Sequence, residues 1–301
     1  MLTVIAGPTA SGKSKLAIEL ALRLGAEIVS ADSQQVYRHF DLGTAKPAAE
    51  DLARVPHHLI SCVDPLEAFS AARYQALADA AIADIERRGK PVVVVGGTGL
   101  YLRILLRGVV EAPGGDEALR EELEALAERD GDLALHRQLA QVDPITAAKL
   151  PVADRVRIIR ALEIHALTGK PASEHRAAHA FAAARYEATL WVLDPPREQL
   201  YAAINARTKA MFDAGLLEET RALVARGFRD AAPMGAVGYA QALGCLEGRL
   251  TREQAIEDTA KKTRHYAKRQ WTWFKKEPGA RFIQPPYLLA QLIPPLPATR
   301  A

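Results

Sequence analysis

Residues Gly7 to Ser14 read GPTASGKS, the G-x-x-x-x-G-K-[ST] pattern of a phosphate-binding loop. Such a loop curls its backbone N–H groups around a pyrophosphate or triphosphate at the start of a helix. Gly7, Pro8, Thr9, Ala10, Ser11 and Gly12 are expected to form the cradle, Lys13 to neutralise phosphate oxygens and Ser14 to hold magnesium. The surroundings suit the motif. Leu2 to Ala6 is a short apolar run with glycine after it, and Leu16, Ile18, Leu20 and Leu24 place a helix from Lys13 that stops near Gly25.

Working outward, Glu27 to Ser30 reads as a second strand, followed by the polar cluster Ala31 to Gln35. Tyr74 to Arg88 has the spacing of an amphipathic helix, closed by Gly89 and Pro91, and Val92 to Val95 is an all-valine strand. Continuous apolar strands alternating with helices predict a parallel sheet covered on both faces. After Pro113, Gly114 and Gly115 the texture turns to alanine, leucine and charge, with Leu119, Leu123 and Leu126 at helical spacing. Asp143 and Pro144 make a cap and first-turn pair, and a helix from Asp154 to about Thr168 ends at Gly169 with Pro171 beyond. Thr189 to Leu193 returns to the sheet. From Glu198 the pattern is helical again, ending in a proline-rich tail, Pro285 to Pro297, expected to contribute little core. The predicted fold is α/β: a P-loop NTPase-like parallel sheet flanked by helices, with an inserted all-helical subdomain. The core is expected over 1–112 and 188–301 and the insertion over 113–187.

The 301 residues, 49% hydrophobic and 25% charged, are enough for at least one large core. No run of eighteen apolar residues and no leader-like start is present, so the chain reads as cytoplasmic and unanchored. Cys62 and Cys245 lack zinc-site spacing and are expected to be reduced and structural. A net charge of +3 is too small to require a polyanionic partner, but the charge is unevenly spread: Lys261 to Lys276 carries seven lysines and arginines, no acid, and Tyr266, Trp271, Trp273 and Phe274. Cations among aromatics suit phosphates and stacked bases, although the same rings could equally face the core.

The loop does not say what carries the phosphates. A motor ATPase or GTPase needs a second acid on magnesium at the end of another apolar strand. Val92 to Val95 runs instead into GGTGLY, Gly96 to Tyr101, and the only hydrophobic strand ending in an acid, Leu190 to Asp194, is a weak match. The phosphates therefore read as a substrate's reacting group. Asp32, at the carboxyl end of the second strand, lies on the sheet rim beside the phosphate loop, where it could take a proton from a nucleophile, orient it, or simply cap a turn. Thr98 is either a hydroxyl aimed at substrate or a turn residue.

Taken in order, GPTASGKS, SADSQQVYR (Ser30 to Arg38), GTAKP (Gly43 to Pro47) and VVGGTGLYL (Val94 to Leu102) resemble the tRNA dimethylallyltransferases, also called isopentenylpyrophosphate transferases. Further matches are RIIRALE (Arg157 to Glu163), INAR with MF-x-x-GLLEE (Ile204 to Glu219), VGY (Val237 to Tyr239) and KRQ-x-TW (Lys268 to Trp273). The resemblance covers nearly the whole chain. It implies dimethylallyl pyrophosphate as donor and, as acceptor, N6 of adenosine 37 in the anticodon stem-loop of tRNAs that read codons beginning with U. By the same resemblance Asp32 is the base or acceptor at N6, Thr98 contacts the bridging oxygen, and Lys13, Arg207 and Ser14 with magnesium hold the pyrophosphate. Asp32, Ser33, Gln34 and Gln35, Thr98, and Val156, Arg157, Ile158, Ile159 and Arg160 are implied tRNA contacts. A target base stacked in a loop must be pulled out to react. Around VGY the family commonly has basic residues, whereas Gly235, Ala236 and Ala240 stand here; the eukaryotic zinc-finger extension is absent, so the pattern is bacterial. A monomer is expected. A P-loop small-molecule kinase or an adenylate prenyltransferase would share the loop, Asp32 and magnesium; the RIIRALE and KRQ-x-TW matches favour tRNA. A non-catalytic RNA-binding protein is disfavoured because Lys13, Ser14 and Asp32 are all intact.

Overall fold

The computed structural model describes residues 1–110, 115–179 and 183–292. Its chain divides into two compact units, one of Met1–Leu106 with Arg185–Ala301 and one of Arg107–Ala184. The first is built on six parallel strands: β1 (Leu2–Ala6), β2 (Glu27–Ser30), β3 (His57–His58), β4 (Val92–Gly96), β5 (Ala188–Leu193) and β6 (Ala280–Ile283), in the spatial order β3-β2-β4-β1-β5-β6. β1, β2 and β4 are buried along their whole length; β4 reads as an unbroken apolar run, whereas β1 includes Thr3 and β2 is bounded by Glu27 and Ser30. The helix Lys13–Leu24 lays Leu16, Ala17, Leu20 and Ala21 against Ile5, Ile28 and Val93, and ends at Gly25 in the left-handed region, a conformation that glycine adopts without steric cost.

Two short strands escape the sequence pattern. β3 and β6 are edges of two and four residues, too short to show periodicity. β6 also changes the reading of the proline-rich tail. Ile283 and Leu292 belong to the core beside the helix Lys13–Leu24, and Tyr287 and Leu289 pack against it, so this stretch does contribute core. Residues 293–297 of the tail, and Pro113 and Gly114 of the expected boundary, lie outside the described residues.

The second unit is helical, with Leu123, Leu135, Leu139, Ile158, Ile159 and Leu162 at its centre. Asp143 caps the helix Pro144–Ala147 by accepting from Thr146 N at 2.9 Å, and also accepts from Ser173 N at 2.9 Å. The helix Arg155–Thr168 closes at Gly169, as its spacing predicts. The unit spans 107–184, not 113–187, for two reasons. Gly108, at a φ of 89°, ends the preceding helix before the Pro-Gly-Gly signal is reached. On the return, Arg185 N donates to Leu106 O at 2.9 Å, and Arg185 and Tyr186 each bond Asp79 at 2.7 Å, which fixes the chain to the sheet unit before β5 begins.

Both cysteines are free; Cys62 is exposed and so is not the structural residue expected, while Cys245 is half-buried. Among the described residues no helix is long and apolar enough to cross a membrane.

Candidate active site

In parallel register Ala6 pairs with Gly96 and Ser30 with Val95, so the loops after β1, β2 and β4 leave the sheet side by side. This is the rim where open parallel sheets bind ligands. The phosphate loop has Gly7 at φ 149°, Ala10 at 65° and Gly12 at 89°. A non-glycine residue such as Ala10 held in the left-handed region marks strain of the kind that gathers at ligand cradles. Inside the loop the Ser11 hydroxyl is buried without a partner, an oxygen left for a ligand to satisfy.

Lys13 Nζ donates to Pro8 O at 3.3 Å. Burial pushes its ammonium down to about 8; the Asp32 carboxylate opposes that shift and the Arg207 guanidinium adds to it. The loop therefore holds a cation that is costly to charge, a cost that a neighbouring anion would remove. Because the charged form binds phosphate, kcat/KM for a pyrophosphate substrate is expected to fall as pH rises through about 8, a decline that a pH–rate profile reads directly.

Arg207 reaches in from the helix Arg197–Asp213, where its Nη2 donates to Thr9 Oγ1 at 2.5 Å. Asp32 uses one oxygen locally: Oδ1 accepts from Gln34 N at 2.9 Å and from Gln35 N at 3.3 Å. Oδ2 makes no such bond. Asp32 is thus both the turn residue and a carboxylate with an oxygen to spare. Thr98 Oγ1 accepts from Ser33 N at 3.0 Å, and Thr98 N donates to Ala31 O at 3.2 Å, which joins the loops after β2 and β4. That approach needs Gly96, where a Cβ would lie 2.1 Å from Ala31 O. Gln35 Nε2 donates to Thr44 O at 3.2 Å and to Ala45 O at 3.0 Å.

Two cavities open on these groups. One, of about 600 Å³, is lined by Gly12, Lys13, Ser14, Lys46 and Arg207. The other, of about 300 Å³, has Asp32 and Gln34 on its polar side and Met211, Ala236 and Val237 on its apolar side. Ala45 and Arg207 line both. An anion cradle thus meets a chamber with one apolar wall and a carboxylate. Asp194, the weak match for a second metal acid, lines neither; its Oδ1 accepts from Trp271 Nε1 at 2.5 Å.

Several residues that shape these cavities carry no expected role from sequence. Tyr266 lines the smaller one; burial pushes its phenol up to about 12 and the Asp32 charge adds to this, so it remains a neutral hydrogen-bonding group. The VGY loop, expected only as a question of RNA contact, builds the chamber: Val237 lines it, and buried Tyr239 accepts from Gly43 N at 3.1 Å while donating to Glu219. Glu219 in turn accepts from Leu42 N at 3.0 Å. Gly43 lies so close that a Cβ would come within 2.4 Å of the Tyr239 ring. Gly43→Ala is expected to destabilise the fold by about 1–3 kcal/mol through overpacking, measured by urea denaturation.

Gln270 was part of the KRQ-x-TW match without an assigned task. Its Oε1 accepts from Thr9 N at 2.8 Å and its Nε2 donates to Gly97 O at 2.9 Å. The rest of the basic stretch divides by helix face. Phe274 is buried and Trp271 faces Asp194, whereas Lys268, Arg269 and Lys276 with Arg103 and Trp273 line a cationic cavity of about 590 Å³. Arg103 stacks over Trp273 at 4.3 Å from the ring centroid.

In the helical unit the run 156–160 also divides. Val156 is 78% exposed and Arg157, paired with Asp154, is exposed as well. Arg160 is half-buried and paired with Glu163, whose carboxylate stays low because Arg120 and Arg160 outweigh the upward push of burial. Ile158 and Ile159 are corrected: both side chains lie in the unit's core and cannot meet RNA, since 3.6 residues per turn cannot present five consecutive side chains on one face.

A phosphate loop, a rim carboxylate and an apolar chamber sharing one arginine with the anion cradle define a P-loop-like enzyme built for group transfer. Comparisons narrow the class. The IPP transferase family model matches residues 35–277. A tRNA dimethylallyltransferase of Myxococcus xanthus is 68% identical, over 95% of this chain and 93% of its own length. Among solved structures, the tRNA isopentenylpyrophosphate transferase of Bacillus halodurans is 41% identical with a TM-score of 0.68, covering 94% of this chain and 89% of that one. A eukaryotic dimethylallyltransferase, solved acting on tRNA, is 30% identical with a TM-score of 0.81, covering 94% of this chain and 73% of that one. The chain belongs to the IPP transferase family.

Proposed function

We propose that the chain transfers the dimethylallyl group of dimethylallyl pyrophosphate to N6 of adenosine 37 in tRNAs reading codons that begin with U, as a monomer in the cytoplasm. The observation that carries this reading is the pair of cavities joined at Arg207, because a prenyl pyrophosphate is an anion attached to a small apolar tail. The pyrophosphate fits the cradle of loop N–H groups, Lys13 and Arg207; the five-carbon tail fits against Met211, Ala236 and Val237. Exclusion of water by this wall protects an allylic carbon that becomes electron-poor as its bond to oxygen lengthens.

An exocyclic adenine amine is a weak nucleophile. Its nitrogen attacks the terminal allylic carbon, the carbon–oxygen bond breaks, and the electron pair leaves with pyrophosphate. Lys13, Arg207 and the loop N–H groups take up the charge that develops there. Asp32 Oδ2, unused by the local turn, accepts the N6 proton, and Thr98 lies one loop away to contact the bridging oxygen. Magnesium keeps several waters and takes most of its remaining ligands from substrate phosphates, so the exposed Ser14 hydroxyl would be the protein's contribution. When bound, the ion would add positive charge to the leaving group. Ser33, Gln34 and Gln35, with Val156, Arg157 and Arg160 of the helical unit, are the proposed RNA contacts.

The test is positional. Unmodified tRNA treated with the protein, magnesium and the donor is digested and its fragments are weighed. A five-carbon gain confined to the fragment containing adenosine 37 is the expected outcome; a gain elsewhere, or none, refutes the assignment.

A further inference from the structure

Three loops supply the proposed chemistry, and one buried side chain bonds to two of them. Gln270, 6% exposed, lies in the helix Arg252–Phe274 and lines none of the cavities described above. Its amide completes a continuous chain. Arg207 Nη2 donates to Thr9 Oγ1 at 2.5 Å and Thr9 N donates to Gln270 Oε1 at 2.8 Å. Gln270 Nε2 then donates to Gly97 O at 2.9 Å, and the adjoining Thr98 accepts from Ser33 N at 3.0 Å, next to Asp32.

The partners themselves fix the orientation of the amide. Thr9 N can only donate and Gly97 O can only accept, so the group between them must offer one acceptor and one donor. Gly97 is shaped to admit it, since a Cβ there would lie 2.3 Å from Gln270 Nε2. The bond has a cost as well: it takes one backbone N–H of the phosphate loop out of use for phosphate.

We propose that Gln270 is a positioning residue for prenyl transfer, setting the distance between the pyrophosphate cradle and the Thr98–Asp32 side of the site without touching either substrate. This rests on the functional reading above. Displacement of one reacting group by about 1 Å can cost on the order of 10²-fold in rate, so a linker between the donor and acceptor halves acts on kcat more than on either KM.

The test uses the full chain, unmodified tRNA and dimethylallyl pyrophosphate, with wild type alongside. Gln270→Met keeps the volume and removes both bonds; kcat is expected to fall by about 10²-fold with both KM values changed far less. Gln270→Glu supplies a readout that lost packing would not move. A protonated carboxyl again has one donor and one acceptor, whereas a carboxylate only accepts and repels Gly97 O. The ratio of its kcat to wild type is therefore expected to fall as pH rises, and this series stands even where Gln270→Met does not fold. A Gln270→Met enzyme with wild-type kcat, or a Gln270→Glu ratio that is flat with pH, overturns the positioning role. Absence of transfer by wild type would instead overturn the functional reading beneath it.

Discussion

Lys13→Ala is expected to lower kcat/KM for the prenyl donor by about 10²–10³-fold, with the fold intact. That is the scale lost when one preorganised stabiliser of a developing oxyanion is removed. Lys13 makes only one long hydrogen bond, to Pro8 O at 3.3 Å, so its removal leaves no demanding partner behind. The same point holds energetically: burial pushes its ammonium down to about 8, and the charge of a bound donor would offset that. Steady-state kinetics at saturating tRNA measure the loss, and thermal denaturation checks that the fold survives. A variant with unchanged kcat/KM would remove Lys13 from the anion site.

Asp32→Asn is the second large effect, about 10²–10⁴-fold in kcat, the range typical of a general base. The substitution is chosen over alanine because Oδ1 holds the turn by accepting from Gln34 N and Gln35 N, and asparagine keeps an oxygen for both. Only Oδ2, which the turn does not use, is replaced by a donor. tRNA binding, followed by filter retention, is expected to stay near wild type. Asp32→Ala is expected to lose turnover too, with RNA binding mostly retained. Unchanged turnover in Asp32→Asn would show that N6 gives up its proton elsewhere.

The centre of the fold was legible because its signals are local. A short, mostly apolar strand, a phosphate loop and a helix of clear period stand consecutively from Leu2 to Leu24, and each is what its own residues prefer. The helical unit could be read for the same reason, from Asp143 and Asp154 at helix starts and Gly169 at an end. Its limits could not, because contacts decide them: Asp79 holds Arg185 from 106 positions away. Edge strands such as β3 and β6 are defined by a neighbour's hydrogen bonds, not by any pattern of their own.

The site divides along the same line. GPTASGKS carries its mechanism in its spelling, whereas Gln270 is one amide in a run of cations, and its partner Thr9 is 261 residues distant. Tyr239 and Gly43 belong to separate motifs whose mutual fit appears only once the chain is folded. Ile158 and Ile159 show the opposite error: a motif marks a contiguous stretch, but a helix sends neighbouring side chains to different faces.

The most direct measurement of the central claim offers the protein a choice of donor. Purified protein and magnesium are incubated with unmodified tRNA and either dimethylallyl pyrophosphate or ATP, and the products are read by nucleoside mass spectrometry and phosphate release. The account predicts a five-carbon gain on adenosine with release of pyrophosphate, and only with the prenyl donor. Phosphate transfer from ATP with no gain on tRNA would contradict it.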